Sequence, residues 1–261
     1  MASSTCQTLY EHDLEKTRKN RRRLQSNINL MFWYRELYLE LFRAIPDISQ
    51  KRVLEIGSGT SPLKIFFPNV IASDILRLDH LDIIFDCHQI DEFEAIADHS
   101  IDVITLTNVL HHLHDPIHFL RNATRKLAYG GMVLIVEPYF SLVSYPLFKF
   151  LHHEPVDFSI KRPMLDRVDG PLSSSNQALP FMIFFSKPDW LSALKDCYAL
   201  EETEYDFFTC LAYMLTGGIS RTFPLPAWIY RPYFVLDRFL AMKLPKLFAS
   251  FFCVRLVSAR E

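Results

Sequence analysis

The sequence predicts a doubly wound α/β domain. Three features carry that expectation: a series of short β-branched apolar runs, a well-capped helix between the last two of them, and a glycine-bearing loop directly after the first. The runs are RVLEIG (52–57), NVIASD (69–74), LDIIFD (81–86), IDVITLTN (101–108) and MVLIVE (132–137). Runs of this length without polar alternation suit strands buried on both faces of a parallel sheet.

The elements follow in order. Residues 28–45 have apolar side chains at helical spacing and stop before Pro46, so a helix is expected there. Between the last two runs, Asp115 is placed to cap a helix and Pro116 to start it, with Gly130 and Gly131 expected to stop it. Residues 141–186 are too long for an ordinary crossover and read as an inserted lid. A helix is expected over 187–200, opened by Ser186 and Pro188. EETEYDFF and FFCVRLVSA read as final antiparallel strands, with a Pro-interrupted, aromatic-rich helical insertion at 215–247 between them. The expected organisation is therefore a helical cap (1–50), a core (51–140), the lid (141–186) and a C-terminal part of the core (187–261).

Composition narrows the function classes. With 49% hydrophobic and 22% charged residues the chain can bury a core and is not of disordered type. Lys plus Arg number 28 against 30 for Asp plus Glu, so no global field calls for nucleic acid. The run KTRKNRRR (16–23) reads as a solvated helix face or an arm. Five cysteines at no repeating spacing favour free thiols, and no stretch reaches the roughly 18 apolar residues of a membrane span. A cytoplasmic protein is expected, with peripheral membrane contact open to it. The segment 223–252 mixes aromatic and basic residues, as an interfacial helix or the mouth for a lipid-linked acceptor would, or an element packed on the domain or across a homodimer.

The chain has seven glycines, and two of them lie in VLEIGSGTSPL (53–63). Glycine permits a tight strand-to-helix turn and close approach of a ligand to the backbone. A dinucleotide fingerprint would need glycine where Pro62 stands, and would not carry Glu55. Asp74, ending the second run, is placed to accept from a ribose diol, and Asp86, ending the third, to take an adenine amino group. Cys87 and His88 follow as neighbours of that pocket.

Glu55-x-Gly57-x-Gly59, Asp74, Asp86, IDVITLTNVLHHLHDP (101–116) and LAYGGMVLIVEP (127–138) together resemble the class I S-adenosylmethionine-dependent methyltransferases. The resemblance implies a seven-stranded, mostly parallel Rossmann-like sheet, with the cofactor over the C-terminal ends of strands one and four. It implies S-adenosyl-L-methionine as cofactor, with S-adenosyl-L-homocysteine as product, held by Glu55, Gly57, Ser58, Gly59, Asp74, Ile75, Asp86, Cys87 and Asn108. Ser61 stands where the family has a third glycine, and the first crossover is very short. HHEP (152–155), PLSSSNQALPF (171–181) and LTGGIS (215–220) resemble a methyltransferase type 11-like branch, which brings no defined acceptor.

His111, His112 and His114 beside Asp115 raise the question of a metal. Adjacent His111 and His112 are expected to point apart, and Asp115 is better used as a cap, so no metal is expected. His111, His112, His153 and Glu154 are instead the candidates for catalytic acid–base work. Gly217 and Gly218 read as a close-approach turn or a helix end. The expected function is methyl transfer, at oxygen, to a small apolar or lipid-linked acceptor. The rival is a binding or scaffold protein that keeps the fold without turnover, supported by Ser61 and the short crossover.

Overall fold

The computed structural model describes residues 2–166, 168–170, 174–218 and 225–259, with side chains described from Thr8 onward. Seven strands form one sheet in the order β3-β2-β1-β4-β5-β7-β6. In chain order these are β1 (Val53–Ile56), β2 (Val70–Asp74), β3 (Ile83–Ile84), β4 (Ile101–Thr107), β5 (Leu127–Pro138), β6 (Glu204–Phe208) and β7 (Phe251–Val257). The first five are parallel neighbours, and β7 pairs antiparallel with both β5 and β6. The order reverses between β1 and β4, which opens a crevice at their C-terminal ends. The third run contributes only two paired residues at the sheet's edge.

The N-terminal cap consists of α1 (Ala2–Ser26) and α2 (Ile28–Leu41). Asn27 caps α2 by accepting the Leu30 N–H, and Leu30, Trp33, Tyr34, Leu37 and Tyr38 bury one face of it against the sheet. The basic run is part of α1 and not an arm; Arg18, Lys19, Arg22 and Arg23 are exposed, as a solvated helix face would be, while the other side of the helix is buried. Thr17 and Leu24 are buried, and Arg21 donates to the Ser61 carbonyl at 2.6 Å. Spacing of four and three residues places this set on one side of the helix, against the glycine loop.

The first crossover is one turn long, α3 (Leu63–Phe66), with the Ser61 hydroxyl accepting the Leu63 N–H. Asp115 caps α4 (Pro116–Ala123) through the His118 N–H at 2.9 Å. Gly130 and Gly131 do not stop that helix, which ends seven residues before them. They form an irregularity in β5, where the register against β4 shifts between Ile101 and Val103. Gly130 takes a φ of +65°, and a Cβ on Gly131 would meet the Ala128 carbonyl at 2.8 Å.

The lid begins with α5 (Ser144–Leu151) and returns through α6 (Ala178–Phe181) and a π-helical turn over Met182–Ser186. Backbone bonds from Leu165 to His114 and from Asn176 to His111 fasten it to the turn after β4. The expected helix over 187–200 is only α7 (Pro188–Ser192). Tyr198 leaves helical geometry to bridge Ser258 and to donate to the Leu120 carbonyl at 2.6 Å. The C-terminal insertion contains α8 (Ala212–Leu215), α9 (Ala227–Lys243) and α10 (Pro245–Phe248). Residues 171–173, 219–220 and 223–224 of the motifs named above lie outside the described residues. Cys87, Cys197, Cys210 and Cys253 are free thiols, and the Cys6 side chain lies outside the description.

Candidate active site

A cavity of about 1310 Å³ opens over the C-terminal ends of β1, β2 and β4 and continues under the lid. A single small ligand occupies a few hundred cubic ångströms, so there is room for a cofactor and an acceptor together. An open acceptor end is what an enzyme needs and a scaffold does not.

The cofactor end is built by the glycine loop and the ends of β2 and β4. Gly57 turns the chain with a φ of +74°. Gly59 has no space for a side chain: a Cβ would lie 2.9 Å from both Asp74 Oδ2 and Thr17 Cγ2. Asp74 accepts the N–H groups of Gly59 and Leu76, each at 2.9 Å, which aims its carboxylate across the cavity floor. Burial raises its pKa against those backbone bonds. Ile75, Cys87 and Asn108 line the same end, beside Asp86. Asp86 caps the turn Cys87–Gln89 and pairs with His88 Nδ1 at 2.7 Å, a hydrogen bond that lowers its pKa.

Glu55 and Ser58 stand behind the loop. Both are buried, and neither is among the cavity-lining residues. Glu55 accepts from Ser58 Oγ at 2.6 Å and Ser61 Oγ at 2.5 Å, while Tyr38 of α2 meets the same Ser61 hydroxyl at 2.9 Å. Burial pushes the Glu55 carboxyl up to about 7, against the two serine hydroxyls and Arg21, which lower it. Ser61, in place of a third glycine, is therefore an anchor that ties the loop to β1 and α2. Sequence reasoning missed the wall from α1. Lys16, Asn20 and Arg23 line the cavity, and their spacing of four and three residues was the readable signal.

One buried polar atom at this end, Asn108 Oδ1, has no partner among the described residues, while Thr107 beside it meets the Tyr38 hydroxyl. Asn108 holds a left-handed φ of +55° at the end of β4. An unmatched buried acceptor is costly, so Asn108 Oδ1 fits a donor group of a polar ligand lying over β4.

The acceptor end is built around His111, His112 and Glu154. The two rings do not point apart as their adjacency suggests. They lie 4.3 Å between centroids, because a 3-10 turn over Leu110–His112 gathers them on one side. His111 is 2% exposed. Its Nδ1 lies 2.5 Å from Glu137 Oε2, and its Nε2 lies 3.2 Å from Glu154 Oε2. Burial alone would lower its pKa. The charges and hydrogen bonds of Glu137 and Glu154 outweigh that and raise it to about 10. Burial would raise the Glu154 carboxyl, but the hydrogen bonds from His111 and His112 hold it well below the ordinary range.

His112 donates from Nδ1 to the Ser174 carbonyl at 3.0 Å, and its Nε2 lies 3.5 Å from Glu154 Oε1. Gln177 of the lid donates to Glu154 at 2.8 Å. His153 lies at the rim, 64% exposed, with Nε2 3.8 Å from Glu154. One ligand atom each from His111, His112 and Glu154 falls within 4.8 Å of the others, as do atoms from Asp86, Cys87 and His88. The expectation that geometry separates the histidines is thus corrected. Gly217 and Gly218 end the α8 region with φ of +86° and +56° at the cavity wall; a Cβ on Gly218 would meet open space, so the left-handed turn and not a close approach accounts for it.

A family model described as "Methyltransferase domain" matches residues 18–165, more than half of the chain. The chain belongs to the class I S-adenosylmethionine-dependent methyltransferases. S-adenosylmethionine is the cofactor of this methyltransferase, and the loop, the acids and the unmatched Asn108 oxygen at the end of β4 fit its polar groups. Among curated proteins, the enzyme is 25% identical over 191 residues to a ubiquinone/menaquinone biosynthesis C-methyltransferase of Bdellovibrio bacteriovorus, covering 65% of this chain and 75% of that one. Among solved structures it is similar to an S-adenosylmethionine-dependent methyltransferase of Archaeoglobus fulgidus, at 18% identity and a TM-score of 0.44, over 85% of this chain and 94% of that one. A methyltransferase of Thermotoga maritima overlays at 13% identity and a TM-score of 0.49, over 92% and 98% of the two chains.

Proposed function

We propose that this methyltransferase acts on a hydroxyl oxygen of a small apolar or lipid-linked acceptor. The supporting observation is the composition of the acceptor end. Leu147, Phe148, Leu151, Tyr213 and Phe251 wall it with apolar surface around one polar cluster, His111–Glu154–His112. When bound, the cofactor supplies a sulfonium-activated methyl group, whose transfer forms the acceptor's new O–C bond as the S–C bond breaks.

In this reading Gly57, Gly59, Asp74, Ile75, Asp86, Cys87 and Asn108 hold the cofactor, and Glu55 and Ser58 hold the loop. Asp74 takes the ribose hydroxyls, and Asp86 with Cys87 the adenine end. His111 is not a base, because both of its nitrogens already face carboxylates and it is held as the cation. It fixes Glu154 in the cavity. The acceptor hydroxyl, entering between His112 Nε2 and the Glu154 carboxylate, passes its proton to this pair. The apolar lid excludes water from the transfer, which depends on positioning of the two reactants.

The C-methyltransferase named among the relatives supports a second reading, transfer to a carbon of the acceptor, for which the same pair would take the proton. Incubating cell extract with methyl-labelled cofactor and analysing the product by mass spectrometry separates the two. An O-methyl product from an apolar fraction is expected. A C-methyl product sinks the oxygen reading, and label confined to water-soluble polar products sinks both.

A further inference from the structure

The C-terminal insertion presents two different faces. Tyr230, Phe234, Asp237 and Ala241 of α9 are buried. Asp237 accepts the N–H groups of Cys210, Leu211 and Ala212, and Tyr233 donates to it at 3.0 Å. Arg238 pairs with Glu40 of α2. This side is a firm seat, so the opposite side is outward by construction.

That outward side is apolar. Trp228 is 77% exposed, Val235 67%, and Leu236 and Phe239 56% each. It does not stop at α9. Backbone bonds from Leu142 to Lys246 and from Val143 to Leu247 join α10 to the start of α5, where Leu142 (72%) and Phe150 (75%) are also bare. Twelve of the 21 large apolar side chains exposed among the described residues fall within 142–151 and 228–247. Soluble surfaces rarely collect so many in one place without a partner.

Charge decides what the partner is. The exposed charged residues of these segments are Lys149, Arg231, Lys243 and Lys246, and their one acid, Asp237, is buried. The whole chain has a net charge of -2, so this is a local arrangement and not a basic protein's general surface. A second copy related by two-fold symmetry would set these cations against one another. An anionic lipid surface matches them, while the apolar side chains enter the acyl boundary.

We propose that α5, α9 and α10 dock this enzyme on an anionic phospholipid bilayer, with α5 standing between the membrane and the acceptor end of the cavity. Leu147, Phe148 and Leu151 of α5 line the cavity, so an acceptor partitioned in the lipid reaches it along an apolar path. The assignment of that acceptor rests on the function proposed above; the docking surface itself does not.

Co-sedimentation with vesicles tests the surface. Vesicles of equal phosphatidylglycerol and phosphatidylcholine should bind the full chain at about 0.1 M salt, roughly tenfold or more tightly than phosphatidylcholine alone. Leu236→Glu with Phe239→Glu should abolish binding, and Lys243→Glu with Lys246→Glu should remove the preference for the anionic lipid. Titration with S-adenosylhomocysteine on the same variants should be unchanged, which shows them folded. A protein that binds S-adenosylhomocysteine but neither vesicle overturns the proposal. So does light scattering that shows a dimer which Leu236→Glu with Phe239→Glu converts to monomer while lipid binding is absent. Loss of S-adenosylhomocysteine binding by the wild type would instead strike the cofactor site and leave the docking result standing.

Discussion

His111 Nδ1 lies 2.5 Å from Oε2 of Glu137, and this buried pair ties the turn after β4 to the end of β5. The other Glu137 oxygen accepts the N–H groups of Val109 and Leu110 at 3.0 and 2.6 Å, so one carboxylate fixes the whole turn. Glu137 is fully buried. Breaking one side of such a pair strands the other charge, which costs about 3–5 kcal/mol. Glu137→Ala should lower unfolding free energy by that amount in urea titrations. A loss near zero would show that the pair carries no weight in the fold.

The proposed reading places the acid–base work on the His112–Glu154 pair, which predicts different phenotypes for His112 and His153. His112→Ala should reduce kcat by about 100-fold or more while S-adenosylhomocysteine affinity stays within about twofold, as for loss of a general base. Equal loss in His153→Ala, at the exposed rim, would move the base there and contradict the assignment to His112.

Glu55 gives the cofactor-free protein a pH signature. Its carboxyl sits at about 7 in the fold against an ordinary 4.5. The folded state therefore prefers the protonated form. The stability this contributes is complete below pH 4.5 and is lost as pH rises through 7. Relative to Glu55→Gln, the wild type should lose about 3 kcal/mol between pH 4.5 and pH 8. Urea unfolding at several pH values measures the difference. A flat difference, or one of opposite slope, would contradict the buried, desolvated Glu55.

In the proposed reading the His111–His112–Glu154 cluster works through a proton and not a metal. Dialysis against a strong chelator should leave turnover unchanged. Loss of activity restored by zinc or manganese would place a metal between the three residues.

The sequence made the sheet legible because each buried strand is a compact β-branched run, and the loop, Asp74 and Asp86 mark the ends of three of them. What stayed hidden depends on long-range packing. The basic run over 16–23 is a solvated helix face on one side, but its sequence does not show that Arg21 turns inward to the Ser61 carbonyl. Ser61 reads as a lost glycine until its hydroxyl is seen between Glu55 and Tyr38. Adjacency suggests that His111 and His112 diverge, and only the 3-10 turn and Glu154, more than forty residues later, bring them together. Gly130 and Gly131 suit a helix end by local rule, but strand pairing with β4 claims them instead.

The central claim is a cofactor site floored by Asp74, and isothermal titration with S-adenosylhomocysteine tests it most directly. The wild type should bind with one site per chain. Asp74→Ala should weaken binding by about 1.5–3 kcal/mol, roughly 10- to 150-fold, with the fold intact by circular dichroism. Absence of binding by the folded wild type, or an unchanged affinity in Asp74→Ala, would contradict it.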